Sequence, residues 1–285
     1  MRNKLNPCYR VLISLIFGIV LASACHEQTE SKATQTVFST DVNPTLPIST
    51  AATEELDPAK VTPDPNIIWE MIGEVNQERI LTDLRRLTGV DPICTSNGCY
   101  TITNRETGSE GLQWAKDYVY EELVNLGYSV EVQDWSRNGY TDQNLIVRKQ
   151  GRVYPGEEIL FIAHLDGYLD DNPAADDDAS GAVSLLELSR IMSSRSLSRT
   201  VVLFFSTGEE HGALGARSYV DLLTPEQISA IKYVVSVEML GYDSNNDGEM
   251  ELWPGDQPVD FVQTLSQTIT TYQLDLTPEI VTGCT

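Results

Sequence analysis

The chain has 285 residues, 41% of them apolar, which is enough for one or two globular domains. Its 19 Lys and Arg stand against 42 Asp and Glu, for a formal charge of -23. That balance excludes nucleic acid as a partner and adhesion to anionic lipid, because both need clustered cations. The charge reads as a solubility device.

Residues 1–24 have the build of a signal peptide. Arg2, Lys4 and Arg10 precede the apolar stretch "VLISLIFGIVLA", and the small residues "ASA" follow. The protein is therefore expected to be exported. Cys25 directly follows Ala24, where acylation after cleavage would leave a lipoprotein anchored on the outer side of the cytoplasmic membrane. Simple secretion after an A-x-A cut is the alternative. Residues 25–65 are rich in Ser, Thr, Pro and Glu and read as a disordered tether.

A folded domain is expected over residues 66–285. "IIWEMIGEVNQERILTDLRRLTG" carries apolar residues at helical spacing up to Gly89 and predicts one helix. Cys94 and Cys99 bracket the turn-forming "TSNG" and suit a small disulfide loop in an oxidising compartment. A structural zinc site would need a second cysteine pair, and none follows. "GSEGLQWAKDYVYEELVNLG" predicts a helix with Ser109 as N-cap and Gly127 past its end.

Strands and helices then alternate. "YSVEVQDW" and "NLIVRK" read as strands. "EEILFIA", "TVVLFFST" and "IKYVVSVEM" are apolar runs of the kind buried on both sheet faces. Helices are expected at "SGAVSLLELSRIMSS", "GALGARSYVDLL" and "VDFVQTLSQTITTY". The fold class expected is α/β, with a mixed, largely parallel central sheet, helices on both faces and three layers. In such sheets ligands sit at the carboxyl ends of the strands.

Those ends are charged. His164 follows the first apolar run, in "HLDGYLDDNPAADDDASG". Glu209 and Glu210 follow the second, in "STGEEHG". Glu238 closes the third, and Asp177 lies just before a helix. Each residue alone has a bland reading, as surface charge or a satisfied core histidine. Charged residues ending three apolar strands point instead to a metal site. One imidazole with several carboxylates suits zinc, and two zinc ions sharing a bridging carboxylate make a hydrolytic site. Adjacent glutamates can divide the work, one as ligand and one as proton acceptor. "NNDGE" lacks the closing acid of a calcium loop and reads as a turn. No G-x-S-x-G elbow supports a serine hydrolase, and no phosphate-cradling motif appears.

"HLD", "ADDDASG", "TGEEHGALGARSY" and "VEMLGY", in this order, resemble the secreted di-zinc aminopeptidase family, which includes bacterial leucyl aminopeptidases. "TNRETGSEGLQWAKDYVYEELVNLGYSVEVQDW" also resembles the segment before the family's metal motifs. The wider superfamily holds glutamate carboxypeptidase and glutaminyl cyclase. The resemblance implies that His164, Asp177, Glu210 and Glu238 bind two Zn²⁺, with Asp177 bridging them. It implies that Asp166 orients the His164 ring and that Glu209 is the general base. Glu238 stands where the family usually has Asp. The implied activity is removal of N-terminal residues from peptide substrates. A glutaminyl cyclase-like enzyme and a non-catalytic, metal-stabilised binding domain are the alternatives. The family's last ligand, a histidine in a Ser-Asp-His context, has no counterpart up to Thr285, so the domain is expected to be truncated at its C-terminal end. His211, beside Glu210, reads as a loop or helix-start residue rather than that ligand.

Overall fold

The computed structural model describes residues 65–281, except 169–171 and 256–258. The expected signal peptide, the acylation site at Cys25 and nearly all of the tether lie outside the described residues. No described helix is long and apolar enough to cross a membrane.

The first helical pattern is two helices, α1 (Pro65–Glu74) and α2 (Gln77–Leu87), where one was expected. The break has a local cause and a long-range one. The Asn76 side chain accepts from Arg79 N and caps α2, while the Asn76 N–H donates to buried Glu187 at 2.7 Å. Helical spacing alone hides such a cap, because the apolar period runs through it. Strands β1 (Ile93–Thr95) and β2 (Gly98–Tyr100) form a hairpin closed by the Cys94–Cys99 disulfide. Helix α3 (Glu110–Asn125) starts at Ser109, whose side chain accepts from Leu112 N.

Five strands build the central sheet: β3 (Val130–Arg137), β4 (Tyr140–Lys149), β5 (Tyr154–His164), β6 (Arg199–Ser206) and β7 (Ile231–Ser236), in the order β3-β4-β6-β5-β7. β3 and β4 pair antiparallel, as do β4 and β6, while β5 runs parallel to both β6 and β7. Alternate residues feed two cores. Leu145, Val147, Ile159, Phe161, Leu203 and Phe205 pack with α1, α2, α3 and α4 (Gly181–Ser193) in the larger one. Ile146, Leu160, Val202 and Phe204 meet Tyr219 of α5 (Leu214–Leu222) on the other face. This is the expected three-layer α/β arrangement. A short helix α6 (Pro225–Ala230), strands β8 (Glu249–Leu252) and β9 (Thr277–Ile280), and helix α7 (Val259–Thr271) complete the described chain.

β6 is buried along its whole length, as its apolar run predicts. β7 is not: it ends the sheet order, and Lys232, Val234 and Ser236 are exposed on one of its faces. An apolar run shows what a strand can bury, but its place in the sheet decides what it does bury. "NNDGE" is an irregular bend with positive φ at Asn246 and Gly248, consistent with the turn reading.

Candidate metal centre

The carboxyl ends of β5 and β6 lie side by side, with His164 opposite Ser206. Their parallel register carries the loops that follow to one edge of the sheet. His164, 2% exposed, ends β5. Glu209 and Glu210 sit in the tight loop after β6. That loop is fastened from the antiparallel side of the sheet: Asn144 Oδ1 accepts from Thr207 N at 3.1 Å, and Trp135 Nε1 donates to Thr207 Oγ1 at 2.8 Å. Gly208, at φ +73°, lies against the Trp135 ring, where a Cβ would come within 2.7 Å.

His164, Glu209 and Glu210 each offer a ligand atom, and these atoms lie within 4.8 Å of one another. Asp177 Oδ1 stands 3.0 Å from His164 Nε2, and a Glu209 oxygen stands 3.9 Å from it. Asp177 itself is exposed, in the irregular helical turn Ala175–Ser180 ahead of α4. Glu238 lies two residues past β7. It is exposed, its Oε1 accepts from Ser236 Oγ at 2.7 Å, and it is not among the atoms gathered within 4.8 Å.

Asp166 is fully buried. The His164 Nδ1 atom is 3.0 Å from the main-chain carbonyl of Asp166 and 3.6 Å from its carboxylate. The Asp166 carboxylate accepts from Glu209 N at 3.2 Å, Glu210 N at 3.1 Å and Thr107 Oγ1 at 3.2 Å. Asp166 thus joins the histidine strand to the double-glutamate loop, a role wider than the ring-orienting one expected of it.

His211 packs its ring on Tyr140 with centroids 4.1 Å apart, which fits the structural role read for it.

The acids of the site crowd around one imidazole. Burial works against a charged His164 ring, but Asp166, Asp178 and Glu209 outweigh it and raise the pKa to about 10. Burial lifts Glu209, aided by the charges of Glu238, Asp166 and Asp177. Burial and then Asp177 push Glu210 up to about 7. A divalent cation here would relieve this repulsion and displace the imidazole proton. The donor set, one imidazole and carboxylates, is chemically suited to zinc.

Three residues of the site escaped sequence reasoning. Asp178, the last acid of "DDD", is fully buried. Its oxygens accept from the N–H groups of His164, Gly181 and Met239 at 3.0, 3.1 and 3.3 Å. Three equal letters in a row give no sign of which one turns inward. Arg105 and Asn144 carried no motif of their own.

Residues 144–279 match Peptidase family M28. The M28 match takes in every candidate residue from His164 to Glu238. Among curated relatives, a probable zinc metalloprotease of Pyrenophora tritici-repentis is 23% identical over 84% of this chain and 53% of its own length. The chain spans about half or less of the first curated relatives it matches, at 53%, 42% and 34% of their lengths. Among solved structures, LapB from Legionella pneumophila superposes with a TM-score of 0.63 at 20% identity, covering 76% of this chain and 58% of that one. Porphyromonas gingivalis glutaminyl cyclase superposes with a TM-score of 0.55 at 17% identity, over 74% of this chain and 77% of that one. The chain therefore shares its fold with LapB and with a glutaminyl cyclase.

Proposed function

We propose that this protein is an exported zinc exopeptidase that releases N-terminal residues from peptides. The observation that carries the reading is the convergence of His164, Glu209 and Glu210 at the ends of two parallel strands, with Asp177 on the same imidazole, inside the segment that matches M28. His164, Asp177, Glu210 and Glu238 would hold the metal. Zinc, when bound, supplies a Lewis acid for the scissile carbonyl and lowers the pKa of water.

The remaining chemistry belongs to the chain. Glu209 is partly exposed, so it can face a substrate, and its raised pKa suits a group that takes a proton from water and returns it to the leaving amine. Asp166 holds the Glu209 and Glu210 N–H groups and so fixes the backbone that carries both side chains. The buried ends of β5 and β6 exclude water from beneath the site.

The test is Glu209→Gln, assayed on aminoacyl substrates beside a peptide with N-terminal glutamine. Loss of roughly 10²–10⁴-fold in hydrolysis with zinc binding preserved is the expected result. Full turnover in Glu209→Gln would refute the mechanism. Cyclisation of the glutamine peptide without hydrolysis of the others would replace the exopeptidase by a cyclase.

A further inference from the structure

Arg105, in "TNRETGSEG", is the largest fully buried side chain among the described residues, 1% exposed. All of its hydrogen-bond partners are main-chain carbonyls. Nε donates to Leu165 O at 2.8 Å, Nη1 to Leu87 O at 2.5 Å and Pro173 O at 2.9 Å, and Nη2 to Ala174 O at 2.9 Å. Its own carbonyl accepts from Gly167 N at 3.0 Å. Leu165 is the residue after His164, and Ala174 precedes the turn that carries Asp177. One guanidinium therefore holds both ends of the loop that separates these two residues.

The ends of that loop are also pressed together. A Cβ on Gly167 would collide with the Cβ of Ala174. Ala174 is held in the left-handed region at φ +49°, a conformation disfavoured for a residue with a side chain. Its carbonyl accepts from Arg105 Nη2, and its N–H donates to Asn172 Oδ1 at 2.9 Å. Such a conformation persists only where the surroundings over-determine it.

A positive charge this deep is costly when only carbonyls touch it. An apolar residue would fill the volume at less cost but could not bond four carbonyls, and a lysine would offer three donors from a single point. The charge also lies in the field of Asp166, Asp177 and Asp178, which favours its charged form against burial.

We propose that Arg105 is a positioning residue for the metal site: it staples the loop between His164 and Asp177 so that these groups are in place before a metal arrives. This rests on the zinc-site reading above, and it concerns how the site is held rather than what it hydrolyses.

The test compares the full chain with Arg105→Lys and Arg105→Gln. Zinc affinity is read by competition with a fluorescent chelator, the site by the absorption spectrum of bound Co²⁺, and folding by urea unfolding of the metal-free proteins. Variants that fold are expected to bind zinc roughly 10–100-fold more weakly, with an altered Co²⁺ spectrum and the lysine form less affected. Folded variants with unchanged affinity and spectrum would make Arg105 a packing residue only and overturn the proposal. If neither variant folds, hydrogen exchange of the metal-free wild type decides. The Gly167 and Ala179 amides, bonded to the Arg105 and Ala174 carbonyls, are expected to exchange as slowly as those of β5, and exchange at the rate of an unstructured peptide would overturn the staple. Hydrolysis is not read in any arm. A chain that binds zinc but cleaves nothing defeats the proposed function and leaves this inference standing. A wild type that binds no zinc defeats the metal reading, while the exchange measurement still judges the staple.

Discussion

The main-chain N–H of His164 donates to Asp178 Oδ2 at 3.0 Å, so the residue that ends β5 is held by the acid next to Asp177. The other Asp178 oxygen takes Gly181 N at 3.1 Å and Met239 N at 3.3 Å. One buried carboxylate thus joins the end of β5, the start of α4 and the chain leaving β7. Burial, the dominant influence, raises its pKa well above the ordinary carboxylate range, against the pull of these N–H groups.

Removing that carboxylate leaves buried donors unpaired. Asp178→Ala is expected to destabilise the metal-free protein by at least about 2 kcal/mol, since each unsatisfied buried group costs about 1–3 kcal/mol. An unchanged urea midpoint would show that the three N–H groups find other partners.

Gly181 opens α4 beneath the same carboxylate. A Cβ there would collide with the Val237 carbonyl oxygen and stand 2.5 Å from Asp178 Oδ1. Helix propensity alone predicts that Gly181→Ala stabilises by about 1 kcal/mol. Overpacking predicts a loss of about 1–3 kcal/mol. Backbone and carboxylate cannot both retreat, so we expect the loss, together with weaker zinc binding. A rise in melting temperature would mean that the site has slack at this point.

Asp83 is 3% exposed and accepts from Tyr118 Oη at 2.5 Å. Burial raises its pKa above 3.8, only partly offset by Tyr118 and Arg79. The folded protein therefore holds this proton more tightly than the unfolded chain does. The resulting stability is present at low pH and fades as pH rises from 3.8 through the raised pKa. Asp83→Asn should remove that decline, so the stability difference between Asp83→Asn and wild type should shift in favour of the variant across this window. Parallel pH profiles would contradict the assignment.

Cys94 and Cys99 face each other across β1 and β2, with Cα atoms 4.0 Å apart. The ring they close is short, so replacing both by alanine should cost no more than about 2 kcal/mol. Zinc affinity should be unchanged, because the hairpin lies outside the site. A tenfold loss of affinity would place this hairpin in the support of the centre.

Much of this architecture was written in local pattern. Runs such as "EEILFIA" and "TVVLFFST" specify buried strands because every second side chain must find a core on each face, and both cores are present. Ser109 marks the start of α3 with its capping side chain, and Gly127 its end with a positive φ. His164, Glu209, Glu210 and Asp177 stood out because charge at the end of an apolar run is costly without a reason.

The rest depended on contacts between distant segments. Whether β7 was covered on both faces was a matter of sheet order. The split between α1 and α2 turned on Asn76 reaching Glu187, which is 111 residues away. Which acid of "DDD" turned inward depended on N–H groups at His164 and Met239, one from each neighbouring strand end. Arg105 bonds carbonyls 18, 60, 68 and 69 residues along the chain, so no local spacing could reveal it. Sequence by itself determined the five central strands, the helices α3, α4, α5 and α7, and the chemistry they carry, because propensity and polarity act over a few residues. Tertiary structure alone decided which groups hold that chemistry in place, because hydrogen bonds to backbone are blind to residue type and exist only once the chain has folded.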